Sequence, residues 1–251
     1  MTAGTALDAR WLRQMHPGTA YETTLIALPH AGGSASFYFP LSRALTPRIR
    51  VLAAQYPGRQ DRHREPVIED LHRLADQLYT AVAPVAARGP IALFGHSMGA
   101  ALGYELAARI RSAGLPAPVR LFASGRRAPS CHREETVHSL DDAGIVAELR
   151  RLGGAANVPG DPEMLRLALP AIRGDYRAIE TYRDRPGTVL DCPVTVFTGA
   201  ADPVVDAAEA QRWDRHTTGP VTVQTYPGGH FFLLEQAIEI TETIRSALVN
   251  E

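Results

Sequence analysis

Ile91-Ala92-Leu93-Phe94-Gly95-His96-Ser97-Met98-Gly99-Ala100 is the stretch on which the reading of this chain turns. Four apolar residues run into Gly-His-Ser-Met-Gly, and an alanine-rich segment, 98–112, follows at once. An apolar run of this length, stopped by glycine, predicts a buried strand, and the segment after it predicts a helix. Ser97 then sits on a sharp strand-to-helix turn. Such a turn strains its central residue and brings neighbouring backbone close, so Gly95 and Gly99 are the residue type the geometry demands. A hydroxyl held at the positive end of a helix dipole is placed to act as a nucleophile. Gly-x-Ser-x-Gly alone is a weak signal; its position between strand and helix gives it weight. The plain alternative is that Ser97 only caps the helix.

Outward from this turn, strand-like runs alternate with helical patterns. Residues 23–28, 50–55, 90–94, 119–123, 194–198 and 221–226 read as strands. Residues 68–87, 98–112 and 232–249 read as helices. This alternation predicts a single α/β domain over 1–251, of the α/β-hydrolase fold, with a mostly parallel sheet and helices on both faces. Right-handed crossovers put the strand C-terminal ends on one edge, where ligands bind. From about 129 to 186 no strand is expected. Ser139 reads as the N-cap of a helix carrying Ile145, Leu149 and Leu152 and stopped at Gly153-Gly154. Two further helical pieces, 164–169 and 171–182, flank Pro170. An all-helical insertion at that edge reads as a lid; additional core helices are the alternative.

A serine hydroxyl needs a base. Of nine histidines, His230 fits best, in the turn Pro227-Gly228-Gly229-His230 after the last strand. His96 should point away from the nucleophile's face. His30 follows the first strand and could contact substrate, as could Gly32. His63, His72, His132, His138 and His216 fall in polar or helical surroundings and read as solvated. The base needs an acid, and Asp202 follows the strand at 194–198. The corresponding place one strand earlier reads Ala123-Ser124-Gly125-Arg126-Arg127, without a carboxylate. Asp206 reads as the start of the next helix. The order Ser97, Asp202, His230 is the one expected for this fold. An oxyanion hole would draw on the N–H groups of Met98 and of Ala31, with Gly32 second to Ala31.

Composition limits the function classes. A length of 251 residues with 45% hydrophobic and 21% charged residues suits a soluble globular protein. A net charge of −1 provides no field for nucleic acid or an anionic membrane. All 26 basic residues are arginine, which excludes lysine nucleophiles and Schiff bases. Cys131 and Cys192 match no metal or disulfide spacing. No metal or cofactor is expected. Met1-Thr2-Ala3-Gly4-Thr5 has no leader pattern and no apolar run is long enough to span a membrane, so a cytoplasmic protein is expected; a monomer is expected as well.

Several segments together resemble one family, the type II thioesterases, the stand-alone editing enzymes of polyketide synthases and non-ribosomal peptide synthetases. The pieces are Leu28-Pro29-His30-Ala31-Gly32-Gly33-Ser34-Ala35, Gln55-Tyr56-Pro57-Gly58-Arg59 and Gly95-His96-Ser97-Met98-Gly99-Ala100. Later come Glu148-Leu149-Arg150-Arg151-Leu152-Gly153-Gly154, Leu169-Pro170-Ala171-Ile172-Arg173 with Asp175-Tyr176, Tyr182, and Gly228-Gly229-His230-Phe231-Phe232-Leu233. The likeness runs from about 23 to 248; residues before about Thr19 carry none of these segments. Ala200 stands where the family often has aspartate, which leaves Asp202 as the acid. Gly174 stands where alanine is usual, and a helix there would be weaker by about 1 kcal/mol. The resemblance implies an acyl group on the phosphopantetheine thiol of an acyl or peptidyl carrier protein as substrate. Arg126, Arg127 and Arg133 are candidate contacts for an acidic carrier surface, by charge alone. A generic esterase, an acyltransferase on the same triad, and a non-catalytic binding protein are the rival readings.

Overall fold

The computed structural model describes residues 7–18, 20–153 and 160–249. Gly154, Thr19 and the Met1-Thr2-Ala3-Gly4-Thr5 segment lie outside the described residues.

Runs apolar at successive positions are the mark of strands covered on both faces. They become β2 (Thr23–Leu28), β3 (Ile49–Ala54), β4 (Ile91–His96), β5 (Arg120–Ser124) and β6 (Val194–Gly199), and the alternating run at the sheet edge becomes β7 (Val221–Tyr226), each within a residue or two of expectation. With β1 (Leu12–Gln14) they form a seven-stranded sheet ordered β1-β3-β2-β4-β5-β6-β7. All neighbours are parallel except β1, which pairs antiparallel with β3. The three residues of β1 are too short to show a period, so no strand is expected there from sequence. This is the α/β-hydrolase fold.

The strand period of two divides the core between the faces. Ile26, Leu28 and Leu52 pack with α2 (Leu71–Ala86) and α3 (Met98–Ser112). Leu25, Ala27, Val51 and Ala53 face the opposite way and pack with α1 (Phe39–Leu45) and α8 (Ala237–Leu248). Helix α2 starts later than expected because Asp70 caps it, accepting from the Arg73 N–H at 2.8 Å. The C-terminal helical pattern is divided at Gln236 (φ −101°, ψ 24°), giving α7 (Phe232–Glu235) before α8.

Between β5 and β6 the described residues form two α-helices, α4 (Asp142–Arg151) and α5 (Pro162–Glu180). Ser139 is not the cap: it belongs to a short turn, and Asp141 caps α4 by accepting from Gly144 N–H at 2.8 Å. Helix α5 is one helix rather than two pieces and passes through Pro170. Its buried Leu169, Ala171 and Ile172 hold it together across the missing N–H. Ile145, Val146, Leu169 and Ile172 form a small core of their own beside the main one. Gly174 is turned toward Val67, and an added Cβ would lie 2.4 Å from Val67 Cγ1. Its role is therefore close packing, not a loosened helix. After β6, α6 (Ala207–Gln211) opens on a capping box at Asp206, as its sequence suggests.

Candidate active site

The order β3-β2-β4 means that the chain reverses its direction of travel across the sheet at β2 and β4. Leu28 is paired with Gly95, so the loops after both strands leave the same edge side by side. Ser97 has φ 54° and ψ −116°, a left-handed conformation costing about 1–3 kcal/mol in a non-glycine residue. Its N–H is anchored to the Ser124 carbonyl at 2.8 Å. A Cβ on Gly95 would meet the Gly99 carbonyl oxygen at 2.0 Å, and one on Gly99 would meet that of Leu28 at 2.0 Å. Both glycines are thus steric requirements of the turn.

His230 lies past β7, after Gly228 at φ 118°, and is 2% exposed. Its Nδ1 is within 3.0 Å of Asp202 Oδ1 and 2.9 Å of Oδ2. The Asp202 carboxylate also accepts from the Val204 N–H at 2.8 Å. With Nδ1 bound, Nε2 is the ring nitrogen free to exchange a proton. Ser97 and His230 line one cavity of about 290 Å³ with His30, Ala31, Arg126 and Tyr176.

Two other imidazoles pack around this pair. The His96 ring centroid is 4.9 Å from that of His230, and its Nδ1 is 3.0 Å from Ser124 Oγ. His30 lies between Phe37 and Phe231, at 4.7 and 4.9 Å. Burial, then the charges of His230 and Arg59, pushes His30 down to about 3. Burial, then His230 and His30, holds His96 well below the usual histidine value. Both rings stay neutral, and among these three His230 alone has a carboxylate to stabilise its cation.

The loop after β2 is held from several sides. Tyr38 and Tyr56 hydroxyls donate to the Leu28 and Pro29 carbonyls at 2.8 and 3.1 Å. Gly32, at φ 76°, gives its N–H to Asp175 of α5 at 2.8 Å. It borders a neighbouring groove rather than the Ser97 cavity. The Ala31 N–H takes no acceptor among the described residues. Asp175 in turn accepts from Arg59 Nη1 at 2.5 Å and Nη2 at 2.7 Å. Arg59 also donates to the Gly33 carbonyl at 3.0 Å. Burial works against the Arg59 charge, but Asp175 outweighs it and raises the arginine further. No local pattern links Arg59 to Asp175, 116 residues apart, so the sequence alone assigns neither a role.

Other expectations need correction. Arg126 and Arg127 are not surface contacts: they are 8% and 2% exposed. Arg127 pairs with Glu135, and Arg133 with Glu209 at 2.5 Å. His63 is exposed, as read. His216 is 5% exposed and bound to Ser130 Oγ at 2.8 Å, and burial lowers its pKa. His132 is also exposed, as read, and lies 3.2 Å from Asp184, whereas His72 and His138 are half-buried, His72 3.2 Å from Glu105 and His138 paired with Glu180. These ring partners come from distant segments, so local polarity could not reveal them. Cys131 and Cys192 are buried free thiols, and burial pushes Cys192 up to about 11. Among the described residues no group of three His, Cys, Asp or Glu is placed to hold a metal ion, and no helix is long and apolar enough to cross a membrane.

The thioesterase-domain family matches residues 23–248 of the chain. The "Probable cadicidin biosynthesis thioesterase" of Streptomyces griseus is 52% identical over 96% of this chain and 66% of that protein. "Thioesterase PikA5" of Streptomyces venezuelae is 44% identical over 95% of this chain and 85% of its own length. Among solved structures, the type II thioesterase BorB from the borrelidin biosynthetic cluster superposes with a TM-score of 0.90. It is 51% identical and covers 98% of this chain and 100% of the BorB chain.

Proposed function

Because this chain belongs to the thioesterase family, we propose that it hydrolyses acyl groups from the phosphopantetheine thiol of acyl or peptidyl carrier proteins, as an editing thioesterase of polyketide or non-ribosomal peptide assembly. The observation that carries the mechanism is the Asp202–His230 pair, bonded at 2.9 Å beside the cavity that Ser97 lines. His230 Nε2 takes the Ser97 proton as Oγ attacks the thioester carbonyl. Asp202 fixes the tautomer and stabilises the imidazolium. The oxyanion is met by the N–H groups of Met98, at the α3 N-terminus, and Ala31. The C–S bond then breaks, and the carrier thiol leaves with the proton from His230. Water, losing a proton to His230, attacks the acyl-serine, and Ser97 is restored as the free acid departs.

Helices α4 and α5 supply one wall of the cavity through Leu149, Tyr176 and Ile179, which supports reading the insertion as a lid. Matched hydrolysis assays on acyl-carrier thioesters and on nitrophenyl esters of the same acyl chain test the substrate class. Carrier thioesters should be favoured in kcat/KM by at least tenfold. Faster turnover of the simple esters would favour a generic esterase. Full activity in Ser97→Ala would remove the mechanism.

A further inference from the structure

The wall of the Ser97 cavity carries more charge than acyl transfer requires. Glu135, Glu148, Glu180, Arg126 and Arg151 all reach it. Four of these five are committed elsewhere. Glu135 pairs with Arg127. Glu148 and Arg151 pair through two bonds, at 2.6 and 2.7 Å. Glu180 accepts the Val137 and His138 N–H groups at 2.9 and 3.1 Å. Arg126 remains. Its carbonyl accepts from Trp213 Nε1 at 3.0 Å, which fixes its backbone. Its guanidinium makes no hydrogen bond or ion pair with any described residue, although the residue is 8% exposed.

A buried cation with no hydrogen-bonding acceptor among the described residues is expensive, and a ligand that supplies the acceptor offsets that cost. The Arg126 nitrogens are not among the side-chain atoms sealed without a partner, so they open onto space. Arg126 borders two such spaces. One is a crevice of about 10 Å³, too small for any ligand group. The other is the 290 Å³ cavity that holds Ser97 and His230. Burial, aided by the Arg127 charge and only partly offset by Glu135, Tyr182 and Glu209, pushes Arg126 down to about 10.

We propose that Arg126 is the polar recognition element for the acyl chain, donating hydrogen bonds to a keto or hydroxyl oxygen carried beyond the thioester carbonyl. This rests on the cavity being the acyl site. A neutral oxygen is favoured over a carboxylate because three glutamates line the same space. The protein thereby discriminates oxygenated chains from saturated chains of equal length.

The test uses carrier-bound acyl pairs matched in length, saturated against 3-keto, 3-hydroxy and 5-hydroxy, plus one dicarboxylic half-thioester. Wild type should favour the best oxygenated chain in kcat/KM by roughly tenfold or more, the value of a hydrogen bond to a charged donor. Arg126→Met should bring that ratio close to one. Its melting temperature should equal or exceed wild type, because an unpaired buried charge has been removed. In a Ser97→Ala background, Kd for the same carriers should show the same preference and its loss on Arg126→Met. An unchanged ratio, a preference for the dicarboxylic chain, or a sharp fall in melting temperature would each overturn the proposal. A preference in binding without hydrolysis by the Ser97 enzyme would instead overturn the hydrolase reading and leave Arg126 as assigned.

Discussion

Removing the Asp175 carboxylate should damage stability and turnover through separate routes. Asp175 is 1% exposed and receives three donors: Arg59 twice, at 2.5 and 2.7 Å, and the Gly32 N–H at 2.8 Å. In Asp175→Ala the Arg59 guanidinium, 7% exposed, is left buried and unpaired. Breaking a buried pair from one side costs about 3–5 kcal/mol. The orphaned Gly32 N–H adds roughly 1 kcal/mol or more. The total, about 4–6 kcal/mol, is a large part of a typical 5–15 kcal/mol stability. At roughly 2–4 °C per kcal/mol for a chain of this size, the melting temperature should fall by about 8–24 °C. The second route is catalytic. Asp175 reaches across from α5 to hold the loop that carries Ala31, the proposed oxyanion donor, so its loss should lower kcat by up to about 100-fold, the value of one such donor, with little change in KM. The double variant Arg59→Met with Asp175→Leu separates the routes. It should recover much of the stability but not the kcat, since Gly32 still lacks its acceptor. Thermal melts and steady-state kinetics on an acyl-carrier thioester measure both. Asp175→Ala within about 1 kcal/mol of wild type, or a raised KM at constant kcat, would refute this reasoning.

Gly174→Ala should gain about 1 kcal/mol of helix propensity and lose more to overpacking against Val67, for a net loss of about 1–2 kcal/mol. Adding Val67→Ala should turn that loss into a gain relative to Val67→Ala alone, measured by denaturant titration. Between roughly pH 6.5 and 3 the unfolded chain binds a proton that folded His30 refuses. Stability should therefore fall as pH drops through that window, by up to about 1.4 kcal/mol per pH unit from His30. Melts from pH 7.5 to 4.5 should show a shallower slope in His30→Gln; an identical slope would contradict the assignment. Gly99→Ala, whose Cβ would sit 2.0 Å from the Leu28 carbonyl oxygen, should yield little folded protein, and a normal melting temperature would show that the turn is not so tight.

How much of this was legible in the sequence depends on how local each signal is. The strand before Ser97 and the helix after it, Met98–Ser112, could be read because an apolar run, a glycine and a helical period occupy adjacent positions. The strand order was half legible: alternation implied parallel pairing, but the antiparallel β1 is three residues long. Asp202 and His230 could be nominated from their place after strands, and the structure brings them within hydrogen-bond distance. The Arg59–Asp175 clamp could not be read, because it joins a loop and a helix distant in sequence. The same holds for Arg126, which looks like surface charge beside Arg127 until burial is known. At Pro170 local propensity predicts a break that the packing of Leu169 and Ile172 overrides.

The central claim is a covalent acyl intermediate on Ser97. Rapid quench of the enzyme with an acyl-carrier thioester, followed by mass spectrometry of the peptide spanning 91–100, tests it directly. The expected result is the acyl mass on Ser97 in the active enzyme and none in Ser97→Ala. Acyl mass on another residue, such as Cys131, or hydrolysis persisting in Ser97→Ala, would contradict the account.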